Sequence, residues 1–276
     1  MIPRFVILLP AVVFSVPAVA SPAPTLDVLA ADASCLIMES ETIALTSAVP
    51  GTLASVEVAE GDVVRRGQSI AALESSVERA TAEVARARAE SDVIERRRVR
   101  EVAAAEVRLD RQRQLRDRNV TADQVVEDAE TEVEVARLGV EEARFEREVA
   151  RLEYERTLAV LQRREIRSPI NGVVTRVDLS AGENVDAAAP VAVVSRVDPL
   201  EVEVYLPLAA YRLVEPGLGA EIRPQEPIGG AYRSVVASRS PIVDAASGLF
   251  RVTVSLPNPG NGIPAGIRCA IRFFDD

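Results

Sequence analysis

Side chains able to do covalent or metal chemistry are scarce in this sequence of 276 residues. It contains no His, so neither Ser nor Cys has an imidazole base, and an ordinary zinc or copper site with His ligands cannot form. All 32 basic residues are Arg. Without Lys there is no Schiff-base catalysis and no lipoylated or biotinylated side chain. Asp and Glu are plentiful, but they fall on repetitive helical text rather than beside a pocket-forming pattern, and acid–base work needs an environment as well as residues. The expectation is a protein without enzymatic activity, cofactor or metal. Past the leader described below a single Met remains, Met38, which argues against a module for capturing soft metals.

The two remaining reactive side chains are Cys35 and Cys269. In an oxidising compartment a disulfide joining the two ends of the chain is the favoured state, and its long loop would contribute roughly 3–5 kcal/mol. The alternative is two small buried apolar residues.

The compartment is indicated by the first residues. "MIPRFVILLPAVVFSVPAVASPAP" has one Arg, a short apolar stretch broken by prolines, and Ala18-Val19-Ala20 as a small-residue cleavage site. This predicts a signal peptide over 1–20. The stretch is short for a membrane span, and Cys35 lies too far downstream for a lipoprotein signal. Without the leader, whose only charged residue is Arg4, 31 Arg face 42 acidic residues, a net charge of −11. Such a balance leaves no surface for nucleic acid.

Leu36 to Leu73 alternates apolar and polar residues between turn signals at Pro50-Gly51, Gly61-Asp62 and Gly67, the pattern of short strands. The scheme returns 121 residues later. Gly51 matches Gly172, Val56 matches Val177, Val58 matches Leu179, Gly61-Asp62 matches Gly182-Glu183, and Val64 matches Val185. A two-copy β motif is therefore split by an insertion, and such repeats complete one another's core.

The insertion, Ser75 to Arg164, lacks Pro, has only Gly139 as a glycine, and is dense in Ala, Glu, Arg and Val. Composition and period predict two helices, Ser76–Arg118 and Ala122–Arg163, started by capping boxes at Ser75/Glu78 and Thr121/Gln124 with a break near Asn119-Val120. Heptad spacing predicts a return seam from Val126 through Ala129, Val133, Val140 and Ala143 to Leu161. It predicts an outgoing seam of Val77, Ala80, Val84, Ala87, Ser91 and Ile94, shifting by a stutter to Val102, Ala105 and Leu109. Glu134–Arg137, Glu141–Arg144 and Glu148–Arg151 are expected as i,i+3 pairs on the solvent face. From Asp198 the text is β-rich again, with one short helix possible in "PLAAYRLV", and predicts a small antiparallel barrel.

Three segments together resemble the periplasmic adaptors, or membrane fusion proteins of the HlyD family, that serve resistance-nodulation-division (RND) efflux pumps. They are "GTLASVEVAEGDVVRRGQSIAALES", "IRSPINGVVTRVDLSAGENV" and "SGLFRVTVSLPNPGNGIPAGIRC". The resemblance implies an elongated α+β chain: a long antiparallel coiled-coil hairpin inserted in a split lipoyl-like β-sandwich, followed by a small antiparallel β-barrel. Its parts would be a leader (1–20), an N-terminal segment with a strand joining the barrel (21–46), the first lipoyl half (47–74), the hairpin (75–164), the second lipoyl half (165–197) and the barrel (198–276). Gly51, Gly61, Gly67, Gly172 and Gly182 would be the glycines of the two halves. The family's docking pattern at the hairpin tip falls on Arg111, Leu115 and Thr121, with Thr where Ser is usual. Implied partners are an inner-membrane RND-type transporter, a TolC-like outer-membrane channel and further copies of the chain in a ring. The same architecture also serves ATP-driven or type I secretion exporters. Only two residues follow Phe274, so a short form without a membrane-proximal domain is expected.

Overall fold

The computed structural model describes residues 33–274; the expected leader lies outside them. Two compact units divide the chain, one holding the described residues up to Glu39 with those from Asp198 onward, the other Ser40–Val197. Two long strands, β1 (Ala33–Thr46) and, further on, the eighth strand, contribute residues to both.

In the Ser40–Val197 unit the 121-residue repeat is visible strand by strand. β2 (Gly51–Val56), β3 (Val63–Val64) and β4 (Ser69–Leu73) precede the helices. After them come β5 (Glu165–Arg167), β6 (Gly172–Val177), β7 (Asn184–Val185) and β8 (Pro190–Pro207). β2 pairs with β4 of its own half and β7 of the other; β6 pairs likewise with β8 and with β3. The pairing of β4 with β5 has its counterpart in that of β1 with β8.

Hydrogen bonds between the halves are reciprocal. Leu53 N–H donates to Glu183 O at 2.8 Å and Val174 N–H to Asp62 O at 2.9 Å; Gly61 N–H donates to Val174 O and Gly182 N–H to Leu53 O, both at 2.8 Å. Two buried serines repeat the same turn: Ser47 and Ser168 each donate Oγ–H to the carbonyl two residues on, Val49 at 2.5 Å and Ile170 at 2.7 Å. One core serves both halves, joining Leu53, Val64, Ile70 and Leu73 to Ile166, Val174, Val185 and Val194. Each such side chain contributes about 1.5–3 kcal/mol relative to exposure. Neither half has that core alone.

Between the halves run α1 (Ser76–Glu90), α2 (Val93–Asp117) and α3 (Asp123–Gln162). The predicted single outgoing helix is thus two, broken at Ser91-Asp92, where Ser91 turns to extended geometry (ψ 119°). Asp92 followed by Glu95 is the local start signal that heptad counting passes over.

Neither predicted capping box forms. Ser75 precedes α1, but its Oγ accepts from Arg79, while Glu78 pairs with Arg164 at the hairpin's base. Ala122, not Thr121, is the N-cap of α3.

The distal seam holds as spaced: Ala105 and Leu109 pack on Val126, Ala129 and Val133. Along α1 it does not. Ala82 and Ala85 are buried, whereas Val77, Ala80, Val84, Ala87 and Ser91 face outward. Two of the three expected surface pairs also cross the hairpin instead, Arg137 to Glu106 (2.8 Å) and Arg144 to Glu95 (2.9 Å), and only Glu148–Arg151 (2.6 Å) forms along the helix. An Arg long enough to reach a carboxylate on the facing helix holds two elements together rather than one turn.

In the other unit, β1, β12 (Ile267–Phe274), β9 (Gly219–Pro224), β10 (Tyr232–Asp244), β11 (Leu249–Leu256) and β8 lie side by side in that order, all antiparallel. Period-2 burial is clean: Phe250, Val252, Val254 and Leu256 are buried and stand opposite Leu206, Val204, Val202 and Leu200. Cys35 and Cys269 are direct cross-strand partners, with Cα atoms 4.9 Å apart and a disulfide of 2.06 Å. The short helix possible in "PLAAYRLV" is a single 3-10 turn, Leu208–Ala210.

Candidate functional site

The hairpin tip is built by the end of α2. Asn119 takes a left-handed φ of 58°, its N–H donates to Arg116 O at 2.8 Å, and Val120 N–H donates to Leu115 O at 2.9 Å. This Schellman closure satisfies the last carbonyls of α2 and turns the chain. The break falls at Asn119 because Asn tolerates this backbone better than other side chains.

Arg111 and Leu115, four residues apart, share one face of α2. Arg111 is exposed and Leu115 half-buried. Neighbouring arginines are committed across the hairpin, Arg108 to Glu132 and Arg113 to Glu130 at 2.7 Å; Arg111 makes no ion pair among the described residues. Thr121, half-buried, is released from capping by Ala122, and its hydroxyl makes no hydrogen bond among the described residues. The Arg111 guanidinium and the Thr121 hydroxyl are therefore uncommitted among the described residues, with the half-buried Leu115 near them. Val120, 69 % exposed, belongs with them. An apolar residue just past Asn in a predicted helix break was the sequence signal for that exposure.

The five glycines fall at turns or close approaches in the halves. Gly61, Gly67 and Gly182 have φ between 84° and 92°, a region that only glycine enters without strain. Gly51 and Gly172 start strands where a Cβ would meet other atoms. The hairpin leaves the β4–β5 edge, where Leu73 N–H donates to Arg164 O at 2.8 Å. Arg163 and Arg164 brace it there, donating to Ala48 O (3.0 Å) and Pro50 O (3.2 Å). At the outgoing side the backbone N–H of Ser76 holds the Glu74 carboxyl below the usual carboxylate range.

No group of three or more His, Cys, Asp or Glu among the described residues is placed to hold a metal ion, and no described helix is long and apolar enough to cross a membrane. An open groove of about 790 Å³ runs beside the distal seam, edged by Glu106, Asp110, Glu130, Glu134, Arg113 and Arg137. Four of these charged groups fasten the helices, as the pairs Arg113–Glu130 and Arg137–Glu106.

A family model described as "CzcB-like, barrel-sandwich hybrid domain" matches residues 41–196. No curated protein matches the sequence. Among solved structures, MacA from Actinobacillus actinomycetemcomitans is similar with a TM-score of 0.69 at 18% identity, over 89% of this chain and 79% of that one. The membrane fusion protein Spr0693 from Streptococcus pneumoniae R6 is similar with a TM-score of 0.53 at 14% identity, over 89% and 99%. A putative efflux transporter from Bacteroides eggerthii DSM 20697 gives 0.53 at 16% identity, over 88% and 68%. At these identities the solved structures share the fold.

Proposed function

We propose, because the chain belongs to the CzcB-like barrel-sandwich hybrid family, that it is a periplasmic adaptor of a tripartite efflux system. In this reading it bridges an inner-membrane RND-type transporter and a TolC-like outer-membrane channel. The observation that carries it is the hairpin tip: α2 and α3 deliver Arg111, Leu115 and Thr121 far from the sandwich, with Arg111 and the Thr121 hydroxyl uncommitted. At about 1.5 Å per residue the 40 residues of α3 cover about 60 Å. A rod of that reach with a polar, partly apolar end suits contact with a second protein at a distance.

The two-half sandwich resembles a lipoyl carrier whose modifiable turn has been replaced by the hairpin, and the absence of Lys from the sequence removes that chemistry. Two of the structures of similar fold are those of a membrane fusion protein and a putative efflux transporter, which supports the export setting. The six antiparallel strands of the other unit are read as the family's barrel, closing on itself, and the assembled adaptor as a ring of copies. Residues 1–20 are read as the leader that takes the chain across the inner membrane.

Leu115→Cys, co-expressed with the outer-membrane channel carrying single cysteines at its periplasmic end, tests this. A covalent adduct at Leu115 or Thr121 and none at mid-hairpin Val99 is the expected result. No adduct from any tip position, with the adaptor folded and exported, would refute the docking.

A further inference from the structure

An Asn side-chain amide can be attacked by the backbone nitrogen of the next residue, a covalent change that needs no catalyst and makes Asn a labile residue. The attack requires a nitrogen that carries a proton, space for a five-membered ring, and a side-chain carbonyl free to turn. The chain has five Asn, and four of them fail one of these conditions. Asn258 is buried and precedes Pro259, which has no N–H. Asn119 and Asn184 precede Val120 and Val185, whose branched side chains shield the nitrogen; Asn184 Oδ1 also accepts from the Thr52 hydroxyl at 2.9 Å. Asn171 precedes Gly172, the least hindered of neighbours, but the fold holds both. Asn171 Oδ1 accepts from Arg66 N–H at 2.8 Å, and Gly172 stands opposite Val64 in the pairing of β6 with β3. The Ser195 carbonyl oxygen lies 2.4 Å from where a side chain on Gly172 would begin, so the ring has no room to close.

Asn261–Gly262 meets all three conditions. Both residues are exposed, and nothing lies within 4 Å of where a Cβ on Gly262 would stand. Neither the Asn261 side chain nor the Gly262 N–H makes a hydrogen bond among the described residues. The pair sits in the loop between β11 and β12, which Asn258 closes. The Asn258 side chain donates to Ile263 O and accepts from Ile263 N–H, both at 2.9 Å, and Asn261 N–H donates to Asn258 O at 3.0 Å. That clasp fits one length of main chain between 258 and 263.

We infer that Asn261–Gly262 is a site of spontaneous deamidation whose isoaspartyl product opens the Asn258 clasp. The Gly262 nitrogen attacks Asn261 Cγ; a C–N bond forms, the Cγ–Nδ2 bond breaks, and ammonia leaves carrying the Gly262 proton. Water then opens the cyclic imide. Hydrolysis at Cγ leaves Asp on an ordinary backbone, whereas hydrolysis at the Asn261 main-chain carbonyl routes the chain through Cβ and Cγ. Both products add a negative charge, and the second also puts one more carbon into the clasped segment. Nothing is oxidised or reduced.

Folded full-length protein held at mildly alkaline pH tests this, digested after increasing times and read by mass spectrometry, with an isoaspartate-specific methyltransferase labelling the rearranged linkage. The peptide holding Asn261 should deamidate roughly tenfold faster than the one holding Asn171, where contacts must open first. In urea the two rates should converge. Gly262→Ala, which the open space admits, should slow the reaction at Asn261 and leave the melting temperature in place. In aged protein the Ile263 amide should exchange roughly tenfold faster than in fresh protein, as the loss of its hydrogen bond requires. Asn261→Asp, which carries the charge without the added carbon, should keep that amide protected. Equal rates at Asn171 and Asn261 in the folded chain overturn the inference, as does an Asn261 that reacts only in urea. Unchanged exchange at Ile263 once the isoaspartyl form predominates, or equal loosening by Asn261→Asp, overturns it too.

Discussion

Gly172 and Gly51 occupy equivalent places in the two halves, yet an added methyl group meets different obstacles. A Cβ on Gly172 would lie 2.4 Å from the Ser195 carbonyl oxygen and 2.9 Å from its carbon. Both are backbone atoms of β8, held by the β6 ladder at Val174↔Val194 and Val173↔Ser195. Restoring ordinary contact needs a backbone shift of about 1 Å, a form of overpacking that costs about 2–3 kcal/mol. A Cβ on Gly51 would lie 2.7 Å from Leu73 Cδ2 and 3.0 Å from Arg164 Nη1, the ends of side chains that can rotate. Its cost is about 1 kcal/mol, partly offset because Ala narrows the unfolded ensemble. For a unit of this size, about 2–4 °C per kcal/mol gives Gly172→Ala a fall in Tm of about 5–10 °C and Gly51→Ala about 2–4 °C. Differential scanning calorimetry on the two full-length variants reads both. A Gly51→Ala loss equal to or larger than that of Gly172→Ala would refute the claim that the approach of β6 to β8 is the tighter joint.

Two further predictions follow from the same joints. Ser47→Ala and Ser168→Ala each remove a buried hydroxyl that donates to a turn carbonyl, so each should cost about 1–2 kcal/mol in urea unfolding, and the two losses should agree to within about 0.5 kcal/mol because the turns are equivalent. The Cys35–Cys269 bond closes a loop with a sequence separation of 234, for which chain entropy gives about 5 kcal/mol; Cys35→Ser/Cys269→Ser should lower the melting of the strand unit and leave the helical signal of the hairpin in place.

The repeat was legible in the sequence because it is written in backbone-permissive residues: Gly61 and Gly182 must be glycine at φ 90° and 92°, whatever surrounds them. The tip was legible for a similar reason, since Asn119 closes α2 by itself. Polar side chains with a choice of partner were not. Glu78 is well spaced to cap α1, but Arg164 arrives 86 residues later in the chain and takes it; Arg144 prefers Glu95 on the facing helix to Glu141 on its own. The α1 heptad misled for a different reason. Periodicity marks an apolar face without saying which neighbour meets it, and alanines make the inner contact because they let the helices approach closely. Arg111, Leu115 and Thr121 were placed by resemblance, and burial adds what spacing could not, that Thr121 is not a cap and that Val120 stands exposed beside it.

The central physical claim is that the two distant β segments form one folded unit to which the hairpin is an addition. Leu73 and Arg164 are already hydrogen-bonded neighbours, so residues 75–163 can be replaced by Asn-Gly, a two-residue turn suited to antiparallel strands. Amide hydrogen exchange on that shortened chain should show Leu53, Gly61, Val174 and Gly182 still protected, with a cooperative thermal transition. Rapid exchange at all four amides, with no transition, would contradict it.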